Sequence, residues 1–239
     1  MKIRFDQFDI LRGMFFIPMF IFHIYSFYDL TNNWNTSLAK NPFIHFLGYV
    51  RDLYIILAGF SVYLSWRNNK NKNKKEFLIN RYERSINILK YAIVITILSH
   101  FLYPDKGIKF GILHFIALST LIISPLAMID LPIITIIVLL ISIYGMNLIP
   151  SINPLIDTIT GASIHYSTAD WFPLNKKLYL IIIGLLFGQI ITQHIKPYQT
   201  NNKILNIFKF MGTNSLELYT SHFIIIMITY WILKNKINI

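Results

Sequence analysis

The feature that most constrains this chain is the run Phe8–Asp29, FDILRGMFFIPMFIFHIYSFYD, apolar over nearly its whole length and about as long as a membrane is thick. A helix needs roughly 20 apolar residues to cross the hydrocarbon core. Comparable runs recur, and seven spans are expected at about 10–28, 44–66, 85–103, 108–129, 131–149, 174–193 and 214–233. The runs are aliphatic and aromatic without period-two alternation, which favours helices over a barrel. The expected fold is therefore all-α: a polytopic integral membrane helical bundle of about seven transmembrane helices, formed by residues 1–239 as a single membrane-embedded domain.

Composition agrees. Of 239 residues, 54% are hydrophobic and 14% charged, with a mean hydropathy of +0.51. Soluble domains carry about 25% charged residues. The absence of cysteine excludes disulfides, thiolate metal sites and a cysteine nucleophile. The first run contains Arg12 and His23 and is followed by no small-residue cleavage site, so it reads as a retained span rather than a signal peptide.

The net charge of +11 does not point to nucleic acid, because the basic residues concentrate in one loop. The segment RNNKNKNKKEFLINRYER holds seven Lys and Arg between Arg67 and Arg84, which marks it as cytoplasmic and suited to anionic lipid headgroups. Counting back two spans puts the N-terminus, with Lys2 and Arg4, in the cytoplasm. Counting forward puts 194–209 inside and 150–173 outside; the latter has no Lys or Arg. Lys176, Lys177, Lys234 and Lys236 fall on the outer side against this trend, and the C-terminus is expected outside. The localisation expected is the cell membrane, multi-pass.

Ionisable side chains inside spans are costly and face a cavity or a partner. Near the inner face lie Arg12, Arg81, Arg84 and Glu217, with His222 deeper on the last helix; in the outer half lie His23, Asp52 and His114. Arg12 and His23 are eleven positions apart, about three turns plus roughly 20°, so they share one helix face with a rise of about 16 Å. Each residue has a plainer reading beside the functional one. Arg12 pairs with Asp9 as an interfacial anchor, or holds a ligand. Arg81 and Arg84 orient the protein in the membrane, or clamp phosphate. His23 and His114 pack against carbonyls, or do proton chemistry. Asp52 pairs with a neighbouring helix, since the adjacent Arg51 cannot point the same way. Asn214-Ser215-Leu216-Glu217 reads as a helix-capping box, Asp170 as a cap or brace for the turn into the sixth span, and Trp34 and Trp171 as interfacial belt residues. No nucleophile-elbow, zincin, P-loop or dinucleotide motif occurs, and His45, His165 and His194 lack partners at metal-ligand spacing, so no metal is expected.

Phe8–His23, with Arg and His separated by ten residues, resembles the opening helix of membrane-embedded acyltransferases. Arg51–Leu64 and Phe77–Ile88 resemble stretches of the bacterial family that modifies surface polysaccharides. Phe110–Leu121, Ala169–Leu174, Gly184–Gln189 and Phe210–Ile226 are similar to a sister group, the heparan-alpha-glucosaminide N-acetyltransferase catalytic domain and its short prokaryotic relatives. The similarity runs in order through essentially the whole chain. It implies acetyl-CoA, or another acyl-CoA, as cytoplasmic donor substrate. It implies a sugar hydroxyl or amine of a glycan or lipid-linked sugar as outer acceptor.

On that reading Arg12, Arg81, Arg84 and His222 serve the donor, His23 is general base, and Asp52 or His114 orients it. Residues 29–42 contain no histidine, so the family's loop histidine has no counterpart and direct transfer is expected. Acceptor contacts are expected from the loops at 29–43 and 150–173. A homodimer is left open. The rival readings are a small transporter or flippase using the same polar line, and a catalytically inactive relative.

Overall fold

In the computed structural model, the structure describes residues 5–31, 41–69, 73–145, 148, 150–162 and 170–237; Lys2, Arg4, Trp34 and His165 lie outside them. The described residues form nine helices and no strand. They are α1 (Asp6–Thr31), α2 (Pro42–Arg67), α3 (Lys74–Leu102), α4 (Ile112–Ile129), α5 (Pro132–Tyr144), α6 (Pro154–Thr160), α7 (Leu174–Ile191), α8 (Lys203–Thr213) and α9 (Ser215–Ile237).

Six of these, α1 to α4, α7 and α9, are long and apolar enough to cross a membrane. The fifth expected span, 131–149, contains the shorter α5, whose 13 residues rise about 20 Å. Pro132 opens α5 at a position that needs no amide hydrogen, and Gly145 is its C-cap. Two other departures fall on polar sequence. α3 begins at Lys74, well before the expected 85, because Lys, Glu and Arg favour helix even where they cannot enter lipid. The expected 194–209 loop contains most of α8.

The chain divides into two compact units, to each of which α2 and α3 lend a part. Unit 1 comprises Ile55–Ala92 and Lys109–Lys196. In it, α2 and α7 pack backbone to backbone: a Cβ on Gly59 would collide with the Ile181 carbonyl, and one on Gly184 with the Ile56 carbonyl. Further along, Gly188 lies against Tyr63, and Arg67 donates to the Thr192 carbonyl. Residue numbers rise together along the two helices, so they run in the same direction, as the expected order of spans requires. Asp170 ties the approach to α7 to the start of α4: its carboxylate accepts the Ile112 amide at 2.9 Å.

Unit 2 comprises Arg4–Tyr54, Ile93–Ile108 and Pro197–Ile239. Here α8 lies directly on α1. A Cβ on Gly13 would collide with the Phe208 carbonyl, and one on Gly212 with the Asp9 carbonyl. An ion pair seals the same contact: Lys209 Nζ lies 2.6 Å from the Asp6 carboxylate, which is 2% exposed. α9 runs parallel to α1, with Phe16 against His222, Phe27 against Phe223, and Phe27 stacked on Tyr230. Asn214 does not cap α9 as the sequence suggested. Its amide turns back and donates to the Phe210 carbonyl and the Thr213 hydroxyl, closing α8.

Candidate active site

A buried polar pair inside the apolar spans lies in unit 2. His23 on α1 is 5% exposed and His222 on α9 is 7% exposed. His23 Nδ1 and His222 Nε2 are 2.9 Å apart, within hydrogen-bond distance. His222 Nδ1 is bonded in turn to the Leu218 carbonyl at 2.8 Å, one helical turn back on α9. Aromatic edges hold both rings. Tyr219 and Phe223 meet His23 with centroids 5.4 and 4.9 Å away, and Phe16 and Phe20 meet His222 at 5.1 and 5.5 Å. Such edge-to-face contacts favour one ring orientation over others.

The sequence placed His222 with the donor and His23 with the chemistry; the fold puts the two in one hydrogen-bonded pair. That pairing depends on the register between the first and last spans, which no local pattern encodes. Arg12 stands on the same helix as His23, its guanidinium donating to Asp9 at 2.9 Å. Its side chain is 17% exposed, so the anchor geometry does not seal it from solvent. Asp52 lies 3.5 Å from the Arg51 guanidinium. The long arginine folds back to its neighbour, contrary to the expectation that adjacent residues must diverge. The same guanidinium covers the Phe22 ring, 5.2 Å from its centroid, next in sequence to His23.

Unit 1 holds the remaining candidates. His114 is partly buried, its ring 5.7 Å from that of Phe110. Arg84 is exposed, whereas Arg81 lies partly buried over the Phe77 ring. Phe77 packs edge-on against Trp66 at 5.1 Å. Two buried polar atoms beside it, Trp66 Nε1 and Arg81 Nε, have no hydrogen-bond partner among the described residues, nor has Ser85 Oγ, one turn beyond Arg81 on α3. Unpartnered buried donors are costly and call for an explanation. Nothing in the sequence drew attention to Trp66 or Ser85. Tyr63 was also missed; its hydroxyl donates to the Asp130 carboxylate at 2.6 Å. Among the described residues no three His, Asp or Glu side chains converge as a metal site.

Membrane-length helices carrying a buried imidazole pair define a multi-pass membrane protein with paired titratable groups inside a span. The sequence profile of the heparan-alpha-glucosaminide N-acetyltransferase catalytic family matches residues 4–224. The chain belongs to that family, and with it to an acetyltransferase-like class of membrane enzymes. No curated protein and no solved structure matches the chain.

Proposed function

We propose that the chain is an acyltransferase of the cell membrane, working through residues 1–239 as one domain. It moves an acetyl group from cytoplasmic acetyl-CoA to a sugar hydroxyl or amine of a glycan or lipid-linked sugar on the outer side. The observation that carries this reading is the buried His23, hydrogen-bonded to His222, on the same helix as Arg12. An imidazole is the side chain suited to general-base work near neutral pH.

In this reading His23 removes the acceptor's proton as its oxygen or nitrogen forms a bond to the acyl carbon. The carbon–sulfur bond breaks, and the thiolate of CoA leaves with the proton. Arg81 and Arg84 contact donor phosphates, and Arg12 keeps the donor role that the family resemblance gives it. The unpartnered polar atoms on Trp66, Arg81 and Ser85 support a ligand rich in acceptor oxygens there, as a phosphate is. Asp52 and His114 act on the acceptor side.

The test uses purified protein in lipid nanodiscs with labelled acetyl-CoA and a panel of sugars, amino sugars and lipid-linked sugars. Transfer by wild type that is abolished in His23→Ala, with the variant still folded, is expected. Full activity in His23→Ala overturns the assignment of the base. Uptake of sugar into vesicles without CoA consumption overturns the enzyme reading in favour of transport.

A further inference from the structure

We propose that His222 is a positioning residue that fixes His23 in the one neutral tautomer whose Nε2 is free to take a proton. The inference deepens the proposed function and rests on His23 being its base. It follows from the direction of two hydrogen bonds.

The Leu218 carbonyl can only accept, so His222 Nδ1, 2.8 Å away, must carry hydrogen. A neutral imidazole has one N–H, so His222 Nε2 then holds a lone pair and can only accept. His23 Nδ1 lies 2.9 Å from that lone pair and must therefore donate. With its hydrogen on Nδ1, neutral His23 has a bare Nε2. The opposite polarity would need a second proton on His222, among Phe16, Phe20 and Tyr219. In imidazole chemistry, the hydrogen bond made by one ring nitrogen decides the state of the other. Here the chain Leu218 carbonyl, His222, His23 makes that decision from the backbone of α9.

The same bond also responds to charge. When His23 takes the acceptor's proton at Nε2, its ring becomes cationic and the Nδ1–H bond to His222 becomes charge-assisted. Such bonds are about twice as strong as neutral ones. His222 thus steadies the charge only while it exists, which assists the chemical step rather than ground-state binding. The proton passes on to the leaving thiolate, and His222 keeps its own Nδ1 hydrogen throughout. Nothing in this scheme uses His222 to hold the donor, the place the sequence assigned it.

Two variants and one spectroscopic readout test this in the full-length protein in nanodiscs. His222→Leu removes the acceptor; His222→Gln keeps an oxygen able to accept from His23 Nδ1. His222→Leu is expected to lower kcat about 100-fold, within the range of general-base contributions, with KM for acetyl-CoA changed less than about twofold. His222→Gln is expected to recover at least a tenth of wild-type kcat, a rescue that a packing role would not give. In 15N-histidine-labelled wild type, the His23 resonances should report a protonated Nδ1 and an unprotonated Nε2. In His222→Leu they should lose that bias. A wild-type His23 protonated at Nε2 overturns the proposal, as does a His222→Leu kcat within threefold of wild type. So does an increase in KM that accounts for the whole loss, which would return His222 to donor binding. An active His23→Ala enzyme is a separate failure, that of the base assignment. It is distinguishable because the tautomer is read without turnover.

Discussion

Replacing Lys209 by Met tests how firmly α8 is fixed to α1. Lys209 Nζ lies 2.6 Å from Asp6 Oδ2; the carboxylate side is 2% exposed and the lysine 28%. Removing one partner of a fully buried ion pair costs about 3–5 kcal/mol, mostly from the charge left behind. Water reaches more than a quarter of this lysine and Asp6 keeps a further interaction, so the expected loss is lower, about 1–2 kcal/mol. For a chain of this size, that lowers Tm by roughly 3–7 °C.

The magnitude has an internal check. Asp6→Asn combined with Lys209→Met removes both charges, so the pair variant should recover most of the loss. Thermal unfolding followed by size-exclusion chromatography in one detergent, across the four proteins, measures the coupling. A single Lys209→Met shift below about 1 °C, or losses that simply add in the double variant, would refute the claim that this pair holds α8 in place.

Three further outcomes follow from the geometry. Tyr63→Phe deletes the hydroxyl bonded to Asp130 at 2.6 Å and should cost about 1.5–3 kcal/mol in thermal unfolding, the range for hydrogen bonds to charged groups. Asp170→Ala removes the carboxylate that accepts the Ile112 amide and should cost about 1 kcal/mol, with acetyl-CoA affinity unchanged by equilibrium binding. Trp66→Phe removes an indole hydrogen that lacks a protein partner. It should lower Tm modestly, because the smaller ring leaves a cavity at a buried site packed on Phe77, while weakening acetyl-CoA binding several-fold.

What the sequence made legible was whatever depends on one helix at a time. Apolar length placed the six long spans, and with them Arg12 and His23 on the single helix α1. The helix ends were less legible. α5 stops at Tyr144 although the apolar run continues to Ile149, because a run of apolar residues sets burial in lipid, not the point where the helix is capped. α8 was hidden in a polar segment, though Ile204, Ile207 and Phe210 recur at three-residue spacing along it and all remain exposed. Least legible were contacts between helices: His23 with His222, Asp6 with Lys209, Tyr63 with Asp130. Each needs an axial register between distant segments, which close packing sets and no local pattern spells out.

The glycines show how that register is held, and one of them gives a sharp test. A Cβ at Gly212 would strike the carbonyl oxygen of Asp9 and crowd its carbonyl carbon and Cα. These are backbone atoms, and no rotamer change can clear them, so α8 must move off α1. Asn214 joins α8 directly to α9, and His222 follows two turns later, so the displacement is carried toward the histidine pair. The pair is 2.9 Å apart, and a further shift of about 1 Å takes it beyond hydrogen-bond distance. Gly212→Ala is therefore expected to cost about 1–3 kcal/mol by overpacking, despite the better helix propensity of alanine. It should also lower acetyl transfer by up to about 100-fold, the usual consequence of a 1 Å misplacement near the chemistry. Gly48 on α2 is the control, because a Cβ there meets nothing within 4 Å. Gly48→Ala should keep activity and gain up to about 1 kcal/mol from propensity alone. If the two alanine variants behave alike in both unfolding and transfer, the α1–α8 contact does not set the position of His222.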